Sequence, residues 1–232
     1  MRLQFLGRGA GFSNDHTSAY FLTRDNDFVL FDCPASAFPK LKKIDFSKSK
    51  QIFVLITHTH GDHIGGLSLF AQYMYFTLNR VITIVAPSNE VKNDLYTLMT
   101  IEGTDPKWYK LVNAEHLKYT YWFGHPISTH HSPQLEGKCF GYHVLIDDVD
   151  VVYSGDTTTI KPYMPCLCNC ASFYVDVSVH YGMIHLKLAD VLDDLIALTK
   201  VGISVYLMHL DDVEAAEEII AGISGIKIVT VK

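Results

Sequence analysis

A strand-length apolar run, Ile52-Phe53-Val54-Leu55-Ile56, breaks off into Thr57-His58-Thr59-His60-Gly61-Asp62-His63, with Gly65-Gly66 just beyond. No other stretch constrains the chain so tightly. An apolar, β-branched run of that length reads as a buried strand. The four polar side chains at its end need partners, because burying a polar group without one is costly. Neutral imidazole and carboxylate together suit a divalent ion such as zinc; the plain alternative is a solvated turn that happens to be rich in histidine. His58 and His60 lie two apart and project to the same side of an extended backbone. Asp62 and His63 are adjacent and point differently, so one turn can serve two neighbouring ions. Gly61, Gly65 and Gly66 remove side chains where the backbone must crowd past them. The remaining ligands must come from elsewhere in the chain.

They recur at comparable places. Apolar alternation and turn residues mark strands at 3–6, 18–22, 28–31, 81–85, 140–146, 149–153, 203–208 and 226–231, and another leading into His130-His131. Helical spacing marks 67–78, 89–101, 188–199 and 213–221, with a short helix around 35–44. The lysine-rich stretch 40–50 reads as a solvated amphipathic helix. His58–His63, His131, Asp156 and His209 each sit just past an apolar strand. Loops at one edge of stacked sheets are where binding groups gather. Strands with outer helices in two successive halves suggest helix–sheet–sheet–helix layering. At 232 residues the expectation is one α/β domain spanning 1–232.

Composition excludes more than it selects. The chain opens without a long apolar segment and contains no membrane-length apolar run, so a cytoplasmic location and no membrane partner are expected. Its 25 acidic residues outnumber 19 basic ones, giving a net charge of −6. That argues against a long nucleic acid as partner, while bound cations would still let a small anion in. Five cysteines are an odd number for a disulfide framework. Cys166, Cys168 and Cys170 lack the two-residue gap of a zinc pair and read as free thiols. Gly7-Arg8-Gly9-Ala10-Gly11 does not match the dinucleotide fingerprint. Trp108, Tyr109, Tyr119, Tyr121, Trp122 and Phe123 read as packing, or one or two of them line a pocket mouth.

Taken together, these motifs resemble those of the metallo-β-lactamase-fold hydrolases. Thr57-His58-Thr59-His60-Gly61-Asp62-His63 matches the superfamily's HxHxDH signature without substitution. His131, Ser154-Gly155-Asp156-Thr157 and Leu207-Met208-His209-Leu210 follow in the expected order, and Phe5-Leu6-Gly7 and Phe31-Asp32-Cys33 look like its first strands. The resemblance covers nearly the whole chain and implies a four-layer αββα sandwich, two mixed sheets flanked by helices. It implies one metal held by His58, His60 and His131, with His130 the rival to His131. A second would be held by Asp62, His63 and His209, with Asp156 bridging. Two Zn2+ ions are implied, with Mn2+ or iron as alternatives.

Within the superfamily the chain looks most like the phosphodiesterase branch that includes tRNase Z. There a Glu in a strand and a His opening the next helix assist the leaving group. Here Tyr174-Val175-Asp176-Val177-Ser178 carries Asp in place of Glu, and His185-Leu186-Lys187-Leu188 lacks the usual Ser or Thr after His. The resemblance implies His185 as general acid, Asp176 as its orienting partner and Asp62 as a guide for the attacking water. Between Gly141-Tyr142 and Ser154-Gly155-Asp156 there is room only for a tight hairpin, where tRNase Z enzymes carry a long tRNA-clamping arm. The implied substrate is therefore a small phosphodiester, as in the compact cyclic-nucleotide phosphodiesterases of the anti-Pycsar type, which act as homodimers. Alternatives are a nuclease or tRNA 3′-processing endonuclease, a lactam or thioester hydrolase, a redox di-iron protein and a non-catalytic metal-binding module. The di-iron proteins usually carry a carboxylate where this chain has His60.

Overall fold

Side chains alternate across a strand, and in this chain the alternation sorts three cores. The computed structural model describes residues 2–231. In chain order it runs β1 (Gln4–Gly7), β2 (Ser18–Leu22), β3 (Phe28–Phe31), α1 (Phe38–Leu41), β4 (Ile52–Leu55), α2 (Gly61–Ile64), α3 (Leu67–Leu78), β5 (Ile82–Ala86), α4 (Asn89–Ile101) and β6 (Tyr109–Asn113). The second half is β7 (Phe123–Thr129), β8 (Cys139–Ile146), β9 (Val149–Tyr153), α5 (Met164–Leu167), β10 (Ser172–Asp176), α6 (Leu188–Lys200), β11 (Ser204–Met208), α7 (Val213–Ile219) and β12 (Ile226–Ile228). Strands β1 to β6 form one sheet and β7 to β12 the other, each in sequence order. Each sheet opens as an antiparallel meander of three strands. From the third strand on, the pairing is parallel. The two halves repeat one plan.

Phe28, Leu30, Ile52, Val54, Ile82 and Ile84 point one way, onto Phe70 and Met74 of α3 and Leu95 of α4. Their neighbours Val29, Phe31, Phe53, Leu55 and Val85 point the other way, towards Tyr142, Val151, Tyr153 and Tyr174 of the second sheet. The Phe31 and Tyr153 rings stack there at 4.4 Å. Val152, Phe173, Val175, Val205 and Leu207 in turn pack on Leu188 and Leu195 of α6 and Ala216 of α7. The result is the expected four-layer αββα sandwich with two mixed sheets.

The sheets position the chemistry. Parallel pairing sends β4, β9, β10 and β11 to their C-termini in the same sense within each sheet, and β7, antiparallel to β8, follows suit. His58–His63, His131, Asp156, Asp176 and His209 all lie at or just beyond those ends.

Two readings need correction. The 40–50 stretch is not a helix: α1 ends at Leu41, and Asp45 accepts a hydrogen bond from the Ser47 amide at 2.9 Å. Such a local turn competes with helix, and it lets Phe46 turn inward, edge-on to Phe28 at 5.0 Å. The last strand is also shorter than its apolar pattern, ending at Ile228, with Val231 making an isolated bridge to Phe5. Most of the aromatic stretch serves packing, but Tyr119 is 90% exposed. Trp122 lies buried against Phe21 and Phe53, Trp108 packs on Tyr75 and Phe76, and Arg24 lies over Tyr121. All five cysteines are free. Among the described residues, no helix is long and apolar enough to cross a membrane.

Candidate metal centre

The one-turn helix α2 folds the histidine-rich segment back on itself, with the His63 amide bonded to the His60 carbonyl at 3.0 Å. Two groups of ligand-type atoms result, and Asp156 belongs to both. In the first, His58 Nε2 lies 3.0 Å from His60 Nδ1, and His131 Nε2 lies 3.2 Å from the same atom. Asp156 Oδ2 is 3.7 Å from His58 Nε2 and 3.5 Å from His131 Nε2. In the second, His63 Nε2 is 3.4 Å from Asp62 Oδ2 and 3.2 Å from Asp156 Oδ1. His209 Nε2 is 3.4 Å from Asp62 Oδ2 and 3.5 Å from Asp156 Oδ2. Donor atoms about 2.0–2.1 Å from a tetrahedral ion stand about 3.3 Å apart, so both groups have the right aperture. The site fits divalent metal.

What lies behind the cluster supports the same conclusion. His63 Nδ1 bonds Asp32 Oδ2 at 2.8 Å, and Asp32 also accepts from the Thr57 amide and hydroxyl, both at 2.8 Å. His58 Nδ1 lies 3.0 Å from the Thr57 hydroxyl. His131 Nδ1 donates to the Ile184 carbonyl at 2.5 Å, and His209 Nδ1 faces Asp176 Oδ1 at 3.3 Å. With Nδ1 facing outward, each of these rings turns Nε2 towards the centre, the usual way a ligating histidine is held. His63 Nε2, fully buried, has no hydrogen-bond partner of its own. Asp32 and His209 both hold φ near +57° (56° and 57°), a sparsely populated region for such residues. Backbone strain of that kind concentrates at functional sites. Gly155 is there for space: at φ +59° a Cβ would come within 2.5 Å of the Phe140 carbonyl.

Charge accounts for the rest. Burial and neighbouring imidazoles hold His58 well below the usual histidine range. Burial works against charge at Asp62, yet the His209 and His63 imidazoles beside it carry it far below the carboxylate range. Burial likewise opposes a charged His209, but Asp156, Asp176 and Asp62 push it up to about 10. Protons and carboxylates thus share a cluster that a cation would satisfy better.

The Anti-Pycsar protein Apyc1 family matches residues 1–227. The chain belongs to that family. An Anti-Pycsar protein Apyc1 from Paenibacillus sp. (strain J14) is 26% identical over 237 residues, covering 91% of this chain and 90% of that one. One from Saccharibacillus brassicae is 33% identical over 110 residues, covering 45% of this chain and 46% of that one. A Ribonuclease Z from Methanococcus aeolicus is 29% identical over 143 residues, covering 55% of this chain and 44% of that one. In fold, the metallo-β-lactamase fold protein YhfI from Bacillus subtilis superposes with a TM-score of 0.72 at 16% identity, over 98% of this chain and 95% of that one.

As a member of the Apyc1 family the chain is a metal-dependent hydrolase of the metallo-β-lactamase fold and a phosphodiesterase related to tRNase Z. Its third ligand-type group, Asp156, Asp176, His185 and His209, adjoins the other two. His185 Nδ1 bonds Asp176 Oδ2 at 2.8 Å and lies 3.9 Å from Asp156 Oδ2. Burial lowers the pKa of His185, but Asp176 outweighs it and the net shift is upward. His185 does not open a helix, because α6 starts only at Leu188; it stands on the preceding loop. His131, not His130, is the residue in the cluster: His130 is 67% exposed and pairs with Glu136 in solvent. In the sequence Asp32 stands out only as a strand end. An apolar strand closing on a single aspartate, in a chain with a histidine cluster, was the available signal.

Proposed function

We propose that the chain is a dinuclear zinc phosphodiesterase that opens 3′,5′-cyclic mononucleotides to nucleoside monophosphates. The observation that carries this reading is the His185–Asp176 pair set against a cluster in which two ligand groups share Asp156. In the first group His58, His60 and His131 would hold one ion; in the second Asp62, His63 and His209 would hold another, with Asp156 between them. Two such ions supply an activated water and neutralise phosphoryl oxygens. His60, where a carboxylate would favour iron, supports zinc.

The chain's own residues do the rest. Asp62 is part-exposed, with 17% of its side chain accessible, and can orient water from the open side. His185, whose protonated form Asp176 favours, can give its proton to the departing sugar oxygen. Joining β8 to β9 is a tight turn, with Asp147 and Asp148 both at positive φ. It offers no arm for a tRNA, which favours the small substrate over the Ribonuclease Z reading. We further read residues 1–232 as one domain acting as a homodimer in the cytoplasm.

Purified protein loaded with Zn2+ should hydrolyse cyclic mononucleotides and leave a precursor tRNA intact. Activity on larger esters alone would overturn the substrate, and no activity on any phosphodiester the class. Light scattering tests the dimer.

A further inference from the structure

Two loops flank the metal centre, and one dipeptide braces both. Leu210, the residue after His209, donates its amide to the Arg8 carbonyl at 2.9 Å and accepts from the Ala10 amide at 3.0 Å. Asp211 accepts from the Ser178 hydroxyl at 2.6 Å, the Val179 amide at 2.7 Å and the His180 amide at 3.0 Å. The first loop closes on itself through Gly9 N to Asp15 O at 2.9 Å and Thr17 N to Gly9 O at 3.0 Å. The second is tied at its neck, Ser178 N to Leu186 O and Leu188 N to Ser178 O, both at 2.8 Å.

Each loop touches the centre at a different place. A Cβ at Gly11 would lie 3.1 Å from Asp62 Oδ2, so the first loop lies against the second ligand group. The other loop carries His185 and gives the Ile184 carbonyl to His131. From these braced backbones the tips project apolar side chains. Phe12 is 108% exposed and Met183 91%, with Tyr181 at 68%. Isolated apolar residues on a surface are ordinary. Here, however, the two most exposed large hydrophobic side chains among the described residues stand on the two segments that abut the centre.

We propose that Phe12 and Met183 form the base-binding rim of the site, Phe12 as a stacking platform and Met183 as an apolar contact for the nucleobase. This rests on the cyclic-nucleotide reading above. The ligand groups would hold the phosphodiester, and a base presents a π-face on which an aromatic side chain can stack. Stacking on Phe12 is available to every base, and a thioether adapts to rings of different size. The rim therefore favours a base over none and discriminates little between purine and pyrimidine.

The test compares kcat/KM for purine and pyrimidine 3′,5′-cyclic mononucleotides with that for the abasic ribose 3′,5′-cyclic phosphate. Phe12→Ala should raise KM for the base-bearing substrates by about tenfold, much more than for the abasic one, and Phe12→Trp should restore it. Met183→Ala should act in the same direction more weakly. Equal losses on both substrates, or none, overturn the proposal. So does a Phe12→Ala effect confined to oligomeric state by light scattering, which would place Phe12 between two copies of the chain. Calorimetric binding of a hydrolysis-resistant cyclic phosphorothioate reads the same contrast without turnover. Wild-type protein that binds this analogue but hydrolyses nothing would sink the enzymatic reading alone; equal affinity in wild type and Phe12→Ala would sink the rim.

Discussion

Asp176 serves two histidines at once, one oxygen on His185 at 2.8 Å and the other facing His209 at 3.3 Å. The sign of its effect on His185 follows directly. A pKa raised above the ordinary histidine value keeps the acid form to higher pH, and that form is lost as pH rises through the raised value. Asp176→Asn should therefore move the basic limb of the kcat/KM profile to lower pH. His185→Ala should lower kcat by about 10²–10⁴-fold on a cyclic nucleotide, and far less on a nitrophenyl ester whose leaving group needs no proton. Equal losses on both would remove the acid role. Asp32→Ala leaves His63 Nδ1 and the Thr57 hydroxyl without their carboxylate. Its expected effect is metal affinity weaker by about 10–100-fold, measured by competition with a chromogenic chelator. His58 to His63 announce themselves because six consecutive positions hold the chemistry. Asp32 does not, because its partner His63 is 31 residues away and only the β3–β4 pairing brings them together.

At the scale of elements, strands were easier to read than loops. Phe28 to Phe31 and Ile52 to Leu55 are apolar on both faces, as strands buried on both sides must be. Stretch 40–50 misled because its lysines and apolar residues imitate a helical stripe, while Asp45 and Ser47 make a turn that outcompetes it. Phe31→Ala would remove a ring stacked on Tyr153 between the sheets and should destabilise the fold by about 3–5 kcal/mol, read from urea denaturation. The loop holding His185 was invisible as a structure, because its anchor, Asp211, lies 32 or 33 residues on. Asp211→Ala should loosen that loop and act through His185. The loss of kcat should be severalfold greater for alkoxide than for nitrophenolate leaving groups. A loss equal for both classes would mark Asp211 as purely structural.

For the molecule as a whole, the question is what the metal contributes beyond chemistry. Three apolar cores, not the ligands, fix the layers, so a chelator should leave the far-UV circular dichroism and a cooperative unfolding transition in place. Ligand linkage still stabilises the loaded form, by about 4 kcal/mol at a thousandfold excess over Kd. The two forms should respond to pH in opposite ways. In metal-free protein His209 is raised from 6.5 to about 10 and His63 also lies well above its ordinary value, chiefly through Asp156 against the opposing effect of burial. Their stabilisation is complete below about 6.5 and is lost as pH climbs towards 10, because the unfolded chain releases these protons first. An ion held as proposed by His63 and His209 would need the same nitrogens free, so its binding should expel protons and tighten as pH rises. Calorimetric scans with and without Zn2+ between pH 6.5 and 9 should therefore show the metal-free Tm falling while the gap to the loaded Tm widens. A gap that stays constant across that range would mean that His63 and His209 do not bind the ion, and would remove the second ligand group from the assignment.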